Sequence, residues 1–220
     1  MKSTVSVAKA LAFAGATLSL VACGNYDVVK APFANQAIIK KVETVLAAPV
    51  LQPRGDCRKS LGNPTLSTNG VDEANRQWEA RNLVVVTLPW KAHAAWNPKL
   101  PMKGLQVHRL AAPSLQAALN LIWEQSGHSQ AEIDRVGLSA IGGGFNWRPV
   151  RDGEGLSAHA YGCAVDFDPD RNAMGDDAPN FSRPENRYVV EDFQKSGWIW
   201  GGAWPRPDGM HFQAATIAKT

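Results

Sequence analysis

The chain has 220 residues, of which 45% are hydrophobic and 20% charged, and its formal net charge is +3. This composition is ordinary for a globular protein and excludes a fibrous or largely disordered chain. Residues 1–23 contain two lysines and no acidic residue, so the remainder has 21 basic and 20 acidic groups, a net charge of +1. Because no basic stripe remains, we expect no nucleic-acid partner.

Residues 1–23 predict an export signal. Lys2 and Lys9 come before an apolar run, 10–22, which is shorter than a membrane-spanning helix needs. The last four residues of this segment, Leu-Val-Ala-Cys, resemble a bacterial lipoprotein cleavage box in which Cys23 is the lipidated residue. A plain signal peptide and a signal-anchor are the alternatives. We therefore expect a protein of the cell envelope or periplasm that touches a membrane only through this segment.

Residues 24–70 predict a linker that includes a short helix. An apolar stripe over Asn35–Ala47 has helical spacing, whereas residues 53–70 are rich in Gly, Pro, Ser, Thr and Asn. If Cys23 is modified, Cys57 and Cys163 remain as a pair. An oxidising envelope permits a disulfide between them, although the sequence reports no distance.

Residues 71–220 predict a single α+β domain. We expect a small antiparallel sheet with helices packed mainly on one side and a zinc site on the open face. The predicted strands are 82–88, ended by Pro89, then 105–107, 138–145, 163–168, 198–200 and 210–213, with irregular chain over 91–104. The predicted helices are one capped by Ser114 and ending near Gln125, one that starts with a capping box at Ser129 and Glu132 and ends at Gly137, and one over 185–196.

Two short segments of this domain carry the chemistry. Residues 157–166 read S-x-H-x-x-G-x-A-x-D, and residues 208–212 read D-G-M-H-F. Two His and two Asp are the residues of a hydrolytic zinc site with three ligands, an open position and a carboxylate base. His159 and Asp166 would lie two turns apart on one helix, so Gly162 favours a loop and a strand that returns Asp166 to His159.

The predicted mechanism assigns one task to each group. Zinc lowers the pKa of its water to about 7, and Asp208 takes the proton and passes it to the leaving amine. A nearby cation helps to stabilise the oxyanion, for which Arg148 and Arg151 are the candidates. Eight tryptophans are present, and we expect Trp147, Trp198, Trp200 and Trp204 to line the cleft.

From roughly Gln77 to Gln213 the chain resembles the zinc-dependent peptidoglycan peptidases, which include D-alanyl-D-alanine carboxypeptidases and L-alanyl-D-glutamate endopeptidases, many of them phage endolysins. The W-G-G-A-W and D-G-M-H-F ending is similar to the endolysin-like branch, in which Asp is the base. The resemblance implies one Zn²⁺ per chain bound by His159, Asp166 and His211. It also implies that Asp208 is catalytic, that Arg148 is the family's arginine, and that Ser157 lies just behind the ligands.

The family implies a monomer that hydrolyses peptidoglycan stem peptides, as an endopeptidase or a D,D-carboxypeptidase. The alternative is a non-catalytic, zinc-containing lipoprotein that binds the cell wall. His93, His108 and His128 have no motif partners and are interpreted as structural or solvated. Residues 166–172 faintly resemble a calcium loop but lack its Gly and Glu, so we interpret them as a solvated turn.

Overall fold

The computed structural model describes residues 54–62, 64, 73–151, 154–215 and 217. The predicted export signal and the helix over 35–47 lie outside the described residues. No helix formed by the described residues is long and apolar enough to cross a bilayer. These residues form the helices α1 (Glu73–Asn82), α2 (Ala112–Gln125), α3 (Gln130–Val136) and α4 (Arg187–Lys195), and the strands β1 (Leu83–Ala94), β2 (Asn97–His108), β3 (Ala140–Gly143), β4 (Ala164–Phe167), β5 (Trp198–Trp200) and β6 (His211–Ala214).

The six strands form one sheet in the order β2-β1-β3-β4-β6-β5. Four of the five neighbouring pairs are antiparallel, and the pair of β1 with β3 is parallel. The α+β class is therefore confirmed, and the sheet is mixed rather than wholly antiparallel. The parallel pair follows from the connection through α2 and α3, because a crossover returns the chain in the direction of β1.

The β1–β2 hairpin is much longer than the sequence predicts. Residues 91–94 and 97–104 belong to strands joined by a turn at 95–96, so the expectation of irregular chain there is wrong. The prolines explain both the expectation and its failure. Pro89 falls in the register shift between Thr87 and Ala92. Pro98 and Pro101 lie on β2, an edge strand, where a missing N–H costs no ladder hydrogen bond.

Helix α2 does not begin with a Ser114 cap. The residue at the N-cap is Ala111, and proline lies in the first turn. Ser114 is inside the helix, where its Oγ donates to the carbonyl of Ala111 (3.0 Å) and accepts from Trp198 Nε1 (3.0 Å). A proline in the first turn starts this helix because its fixed φ suits that position.

The capping of α3 agrees with the sequence. Ser129 accepts a hydrogen bond from the amide of Glu132, which satisfies one of the free N–H groups of the first turn. Gly137 ends the helix with φ 98°, a conformation that other residues rarely adopt. The Glu132 side chain, however, binds Arg135 (2.6 Å) instead of completing the capping box.

The alternation of side chains along β4 and β6 separates the core from the opposite face of the sheet. Phe167 and Phe212 point to α4, where Phe193 stacks on Phe212 with ring centroids 4.0 Å apart. Asp166 and His211 point the other way. The strands thus bury aromatic rings under the helices and present polar side chains on the open face.

The segment before α1 is tied to the sheet. A disulfide joins Cys57 to Cys163, with Cα atoms 6.3 Å apart, and Leu61 is buried in the core. The compact unit thus begins before position 71, and the described part of the predicted 24–70 linker packs against it. The sequence leaves the pairing of these cysteines open; in the structure they are bonded.

Candidate metal centre

Three side chains from two strands and one turn converge on the open face. Asp166 of β4 lies directly opposite His211 of β6 in the antiparallel register, so both side chains stand on the same face. His159 lies in the 3₁₀ turn Ala158–Tyr161, which Gly162 ends at φ 67°. A Cβ on Gly162 would lie 2.7 Å from the amide nitrogen of His108, so this position requires glycine.

The ligand atoms of the three residues are close enough to share one ion. His159 Nε2 lies 3.1 Å from Asp166 Oδ2 and 3.2 Å from His211 Nδ1, and His211 Nδ1 lies 3.0 Å from Asp166 Oδ1. One ligand atom from each of the three residues lies within 4.8 Å of the other two. His159 and His211 are only 2% and 6% exposed. The predicted return of Asp166 to His159 by a strand is therefore what the structure shows.

The outer nitrogens of both imidazoles face acceptors. His159 Nδ1 lies 2.8 Å from the carbonyl of Gly144, and His211 Nε2 lies 3.2 Å from Gln213 Oε1. With a proton on each outer nitrogen, lone pairs of His159 Nε2, His211 Nδ1 and the Asp166 carboxylate point at one another. Three acceptors at this distance need a cation or a proton between them. Two imidazoles and one carboxylate are a donor set that suits zinc.

The electrostatics of the metal-free centre follow from burial and pairing. Burial raises the pKa of Asp166, but the hydrogen bonds with His159 and His211 outweigh burial and hold it well below its usual range. Burial lowers the pKa of His211, but the hydrogen bond and charge of Asp166 outweigh that effect and raise it. The centre therefore attracts positive charge strongly in a nearly dry environment.

Asp208 lies beside this centre without a partner for one of its oxygens. Its Oδ1 is buried and makes no hydrogen bond within the described structure. Burial raises the pKa of this carboxyl, while His211 and Arg148 lower it and Asp166 raises it further. A buried and unpaired carboxylate oxygen is costly, and such groups are common at functional sites.

The loop before β6 holds Asp208 through its backbone. The amide of Asp208 donates to the carbonyl of Gly201 (3.0 Å), and Asp208 pairs with Met174 in an isolated bridge. A Cβ on Gly201 would lie 2.7 Å from the carbonyl oxygen of Asp208. Trp200 Nε1 donates to the carbonyl of Gly209 (2.8 Å) and fixes the same loop from the other side.

Ser157 lies at the start of the turn that carries His159. It caps the 3₁₀ turn by accepting from the amide of His159 (3.4 Å). Its own amide donates to the carbonyl of Arg148 (3.0 Å). Ser157 therefore links the backbone of the arginine segment to that of the histidine turn.

Both candidate arginines line the cleft. Arg148 is half-buried and Arg151 is exposed, and each lines both of the cavities that flank the centre, of about 330 and 460 Å³. Neither makes an ion pair with another described residue. The charge of Arg148 lowers the pKa of the Asp208 carboxyl.

Two further side chains, Arg58 and Gln213, belong to the site although the sequence analysis did not single them out, and Trp204 lines the cleft as expected. Arg58 lines the cleft, held by Asp56 (2.8 Å) and the carbonyl of Leu156 (3.3 Å). Trp204 lies 5.3 Å from the ring of His211, and Gln213 supports the same ring. Gln213 follows His211 by two residues on a predicted strand, so the sequence already indicates that the two side chains lie on the same face. Nothing local marks Arg58 except its position next to Cys57.

Two expectations about the cleft are corrected. Trp198 and Trp200 are buried, because β5 carries both rings into the core rather than to the cleft. Asp168 is not in a solvated turn, since it is 5% exposed and accepts from Arg171 (2.8 Å) and Asn172 (3.0 Å). This buried network supports the loop below the centre.

The other histidines stay away from the centre. The buried His108 packs against Trp78, and burial, followed by the charge of Arg109, lowers its pKa to about 4. His128 pairs with Glu124 (3.0 Å) on the surface, and His93 lies on β1 opposite Pro101. In the described residues, the group that could hold a metal consists of His159, Asp166 and His211.

Comparison with known protein families gives one match. Residues 151–214 match a family model described as D-alanyl-D-alanine carboxypeptidase. The match spans the three candidate ligands, Asp208 and Ser157, and confirms the resemblance seen in the motifs. Comparison with the curated proteins and with the solved structures gives no match.

Proposed function

We propose that this chain, whose residues 151–214 match the zinc peptidase family of D-alanyl-D-alanine carboxypeptidases, hydrolyses peptide bonds in peptidoglycan stem peptides. The observation that carries the proposal is the convergence of two imidazole lone pairs and one carboxylate, with both outer imidazole nitrogens occupied. A zinc ion held there would activate water and polarise the scissile carbonyl.

Asp208 supplies the proton transfers in this proposal. Asp208 lines the same cleft as His211, and its buried Oδ1 has no hydrogen-bond donor in the described structure. The carboxylate accepts a proton from the attacking water and then donates it to the leaving amine. Burial raises its pKa toward the working range of such a base.

The arginines supply positive charge in this proposal. Stem peptides carry free carboxylates, and a guanidinium binds a carboxylate through two parallel hydrogen bonds. Arg148 is half-buried, and its charge lowers the pKa of Asp208. It stabilises the developing oxyanion. Arg151, which is exposed at the cleft wall, contacts a substrate carboxylate.

The cleft favours an endopeptidase over a carboxypeptidase. One cavity is lined by Trp204, Asp208 and Met210, and the other by residues 142–144 and His159. Both share the wall at Arg148 and Arg151. Space on two sides of the ligands leaves room for substrate residues before and after the scissile bond.

A non-catalytic wall-binding protein is the second candidate function. A metal held for structure alone has no use for an additional carboxylate with an unpaired oxygen at the cleft. Asp208 therefore favours the enzyme. The two candidates separate in one assay, since a binder would retain peptidoglycan without releasing peptides.

We also propose that the protein is exported and works in the cell envelope as a monomer. The Cys57–Cys163 disulfide supports this location, because disulfides persist in oxidising compartments. Membrane contact in this proposal is confined to residues 1–23, through lipid on Cys23, a signal-anchor, or no anchor after cleavage. The mass of the mature N-terminal peptide from the native host distinguishes these forms.

Digestion of purified peptidoglycan tests the function. The zinc-loaded protein should release fragments whose masses identify the cleaved bond, with new termini between L-Ala and D-Glu or within the cross-link. Loss of a single D-Ala would instead identify a carboxypeptidase. A His159→Ala variant is the control that lacks a ligand, and equal fragment release by that variant and the original protein would refute the metal mechanism.

A further inference from the structure

We propose that Gln213 is a positioning residue of the metal centre: its Oε1 accepts the Nε2 proton of His211 and so reserves Nδ1 of that ring for the metal. The inference rests on the proposed zinc function and deepens it. Gln213 is not among the residues to which the sequence analysis assigned a role.

The backbone at Gln213 is held on both sides. β6 is an inner strand, and Gln213 pairs with Ala164 of β4 and with Ile199 of β5. Because side chains alternate along a strand, Gln213 stands on the same face as His211, two residues earlier. Its Oε1 lies 3.2 Å from His211 Nε2, and Gln213 also lines the cleft.

The two imidazoles differ in what supports them. His159 Nδ1 donates to a backbone carbonyl, that of Gly144 (2.8 Å), which no substitution at residue 144 removes. The support of His211 is a side chain, and Gln213 Oε1 is the acceptor that its Nε2 meets. Residue 213 is therefore a position at which a mutation can remove the support of His211 without altering a ligand.

Loss of the acceptor would change the proton on His211. With no partner at Nε2, the tautomer protonated at Nδ1 becomes favourable, because that nitrogen lies 3.0 Å from Asp166 Oδ1 and can donate to it. A proton on Nδ1 excludes the metal from the same lone pair. Loss of such an outer acceptor typically lowers metal affinity by about 10- to 100-fold.

The test measures zinc affinity in the full-length chain by competition with a chromophoric chelator. We expect Gln213→Leu to weaken zinc binding by about 10- to 100-fold. Gln213→Glu keeps an acceptor of similar reach and should bind zinc at least as tightly as the original chain. Gln106→Leu, on the exposed side of edge strand β2, is the matched control and should leave the affinity unchanged.

The outcomes are separable. If the original chain binds no zinc, the proposed function fails and this inference with it. If the original chain binds zinc and Gln213→Leu binds it equally well, Gln213 has no positioning role while the proposed function stands. Should Gln213→Leu not fold, as judged by circular dichroism of the metal-free protein, Gln213→Asn decides: it keeps the amide but withdraws the oxygen by one methylene, so undiminished affinity overturns the inference.

Discussion

The two histidines of the centre differ from the other histidines in what their outer ring nitrogen contacts. His159 and His211 each have an acceptor behind the ring, whereas His93, His108 and His128 lie in a strand, under a tryptophan and on the surface. A sequence motif identifies which histidines matter. The contacts explain why each uses one particular nitrogen.

Asp208 should separate metal binding from catalysis. Asp208→Ala removes the proposed base but none of the three ligands, so zinc content should stay at one per chain. The rate of peptidoglycan hydrolysis should fall by about 10²- to 10⁴-fold, the contribution of a positioned acid–base group. Metal analysis and turnover on the same sample check this, with exposed Asp177→Ala as control. Hydrolysis at the original rate would remove Asp208 from its role.

The two arginines make a matched pair for a second prediction. Arg148→Ala should lower kcat by about 10²- to 10³-fold, as expected for loss of an oxyanion partner. Arg151→Ala should raise KM more than it lowers kcat, because an exposed guanidinium contributes mainly to binding. Steady-state kinetics on a defined stem peptide distinguish them. The opposite pattern would show that Arg151 is the oxyanion partner.

The pKa shifts at the centre predict how the stability of the metal-free protein depends on pH. His211 has a raised pKa, so its stabilisation is complete below about 6.5, the unfolded value, and is lost as the pH rises through the folded value. Asp166 has a lowered pKa, so its stabilisation is complete above about 3.9 and is lost as the pH falls further.

Stability contributed by this pair should therefore be greatest between about pH 4 and 6.5. Thermal melting of the metal-free protein across pH measures it. Asp166→Asn should flatten the profile on both sides of that window, since it removes the partner of both histidines. An unchanged profile in that variant would show that other groups control the pH dependence.

At the scale of elements, the alternation of β4 and β6 organises both the core and the site. Asp166 and His211 are cross-strand neighbours on one face, and Phe167 and Phe212 pack under α4 on the other. A shift of one residue in this register would place the ligands in the core. The aromatic cluster around Phe193 opposes such a shift.

Strand β3 approaches Asp166 closely, and its neighbouring glycines, Gly142 and Gly143, allow this to be tested by two substitutions. A Cβ on Gly142 would lie 2.9 Å from Asp166 Cβ, whereas one on Gly143 would meet nothing within 4 Å. Gly142→Ala should therefore displace Asp166 and weaken zinc binding by at least about tenfold, since ligands must hold their geometry closely. Gly143→Ala should bind zinc normally. Equal affinities in a chelator competition would contradict the close approach.

Strand and helix boundaries were predictable where local signals act alone. The Ser129 cap and the end of α3 at Gly137 follow from the sequence. The failure at residues 91–104 has a physical cause, because prolines exclude a central strand but not an edge strand. The position of a strand within a sheet is decided by partners far along the chain. The prediction that Ser114 caps α2 was wrong for a similar reason. The helix begins three residues earlier, at the N-cap Ala111, because proline in the first turn also favours a helix start.

For the whole molecule, the disulfide connects the segment before α1 to the motif that contains the ligands. Cys163 lies between His159 and Asp166 in sequence, and its partner Cys57 is 106 residues away. The bond brings Arg58 to the cleft wall. The N-terminal part of the described chain is therefore a component of the site region rather than a spacer.

Removal of this disulfide should cost stability. Cys57→Ser/Cys163→Ser should lower the free energy of unfolding by about 2–5 kcal/mol, the usual cost for a native disulfide, with long loops at the upper end. Denaturant unfolding with and without a reductant measures it. The reductant should lower the stability of the original chain but not that of the variant. Equal unfolding midpoints for the original chain and the variant in the absence of reductant would show that packing alone holds the segment.

By itself the sequence predicted which two histidines and which aspartate converge, that this donor set suits zinc, and that the class is α+β. It could do so because the spacing of residues within each of the two short motifs is a local property, and the two motifs together resemble one known family. The tertiary structure alone decided that Cys57 bonds to Cys163, that Arg58 lines the cleft, and that the prolines of β2 lie on a sheet edge. These facts depend on which distant segments pack together, and burial and register are settled only when the whole chain folds.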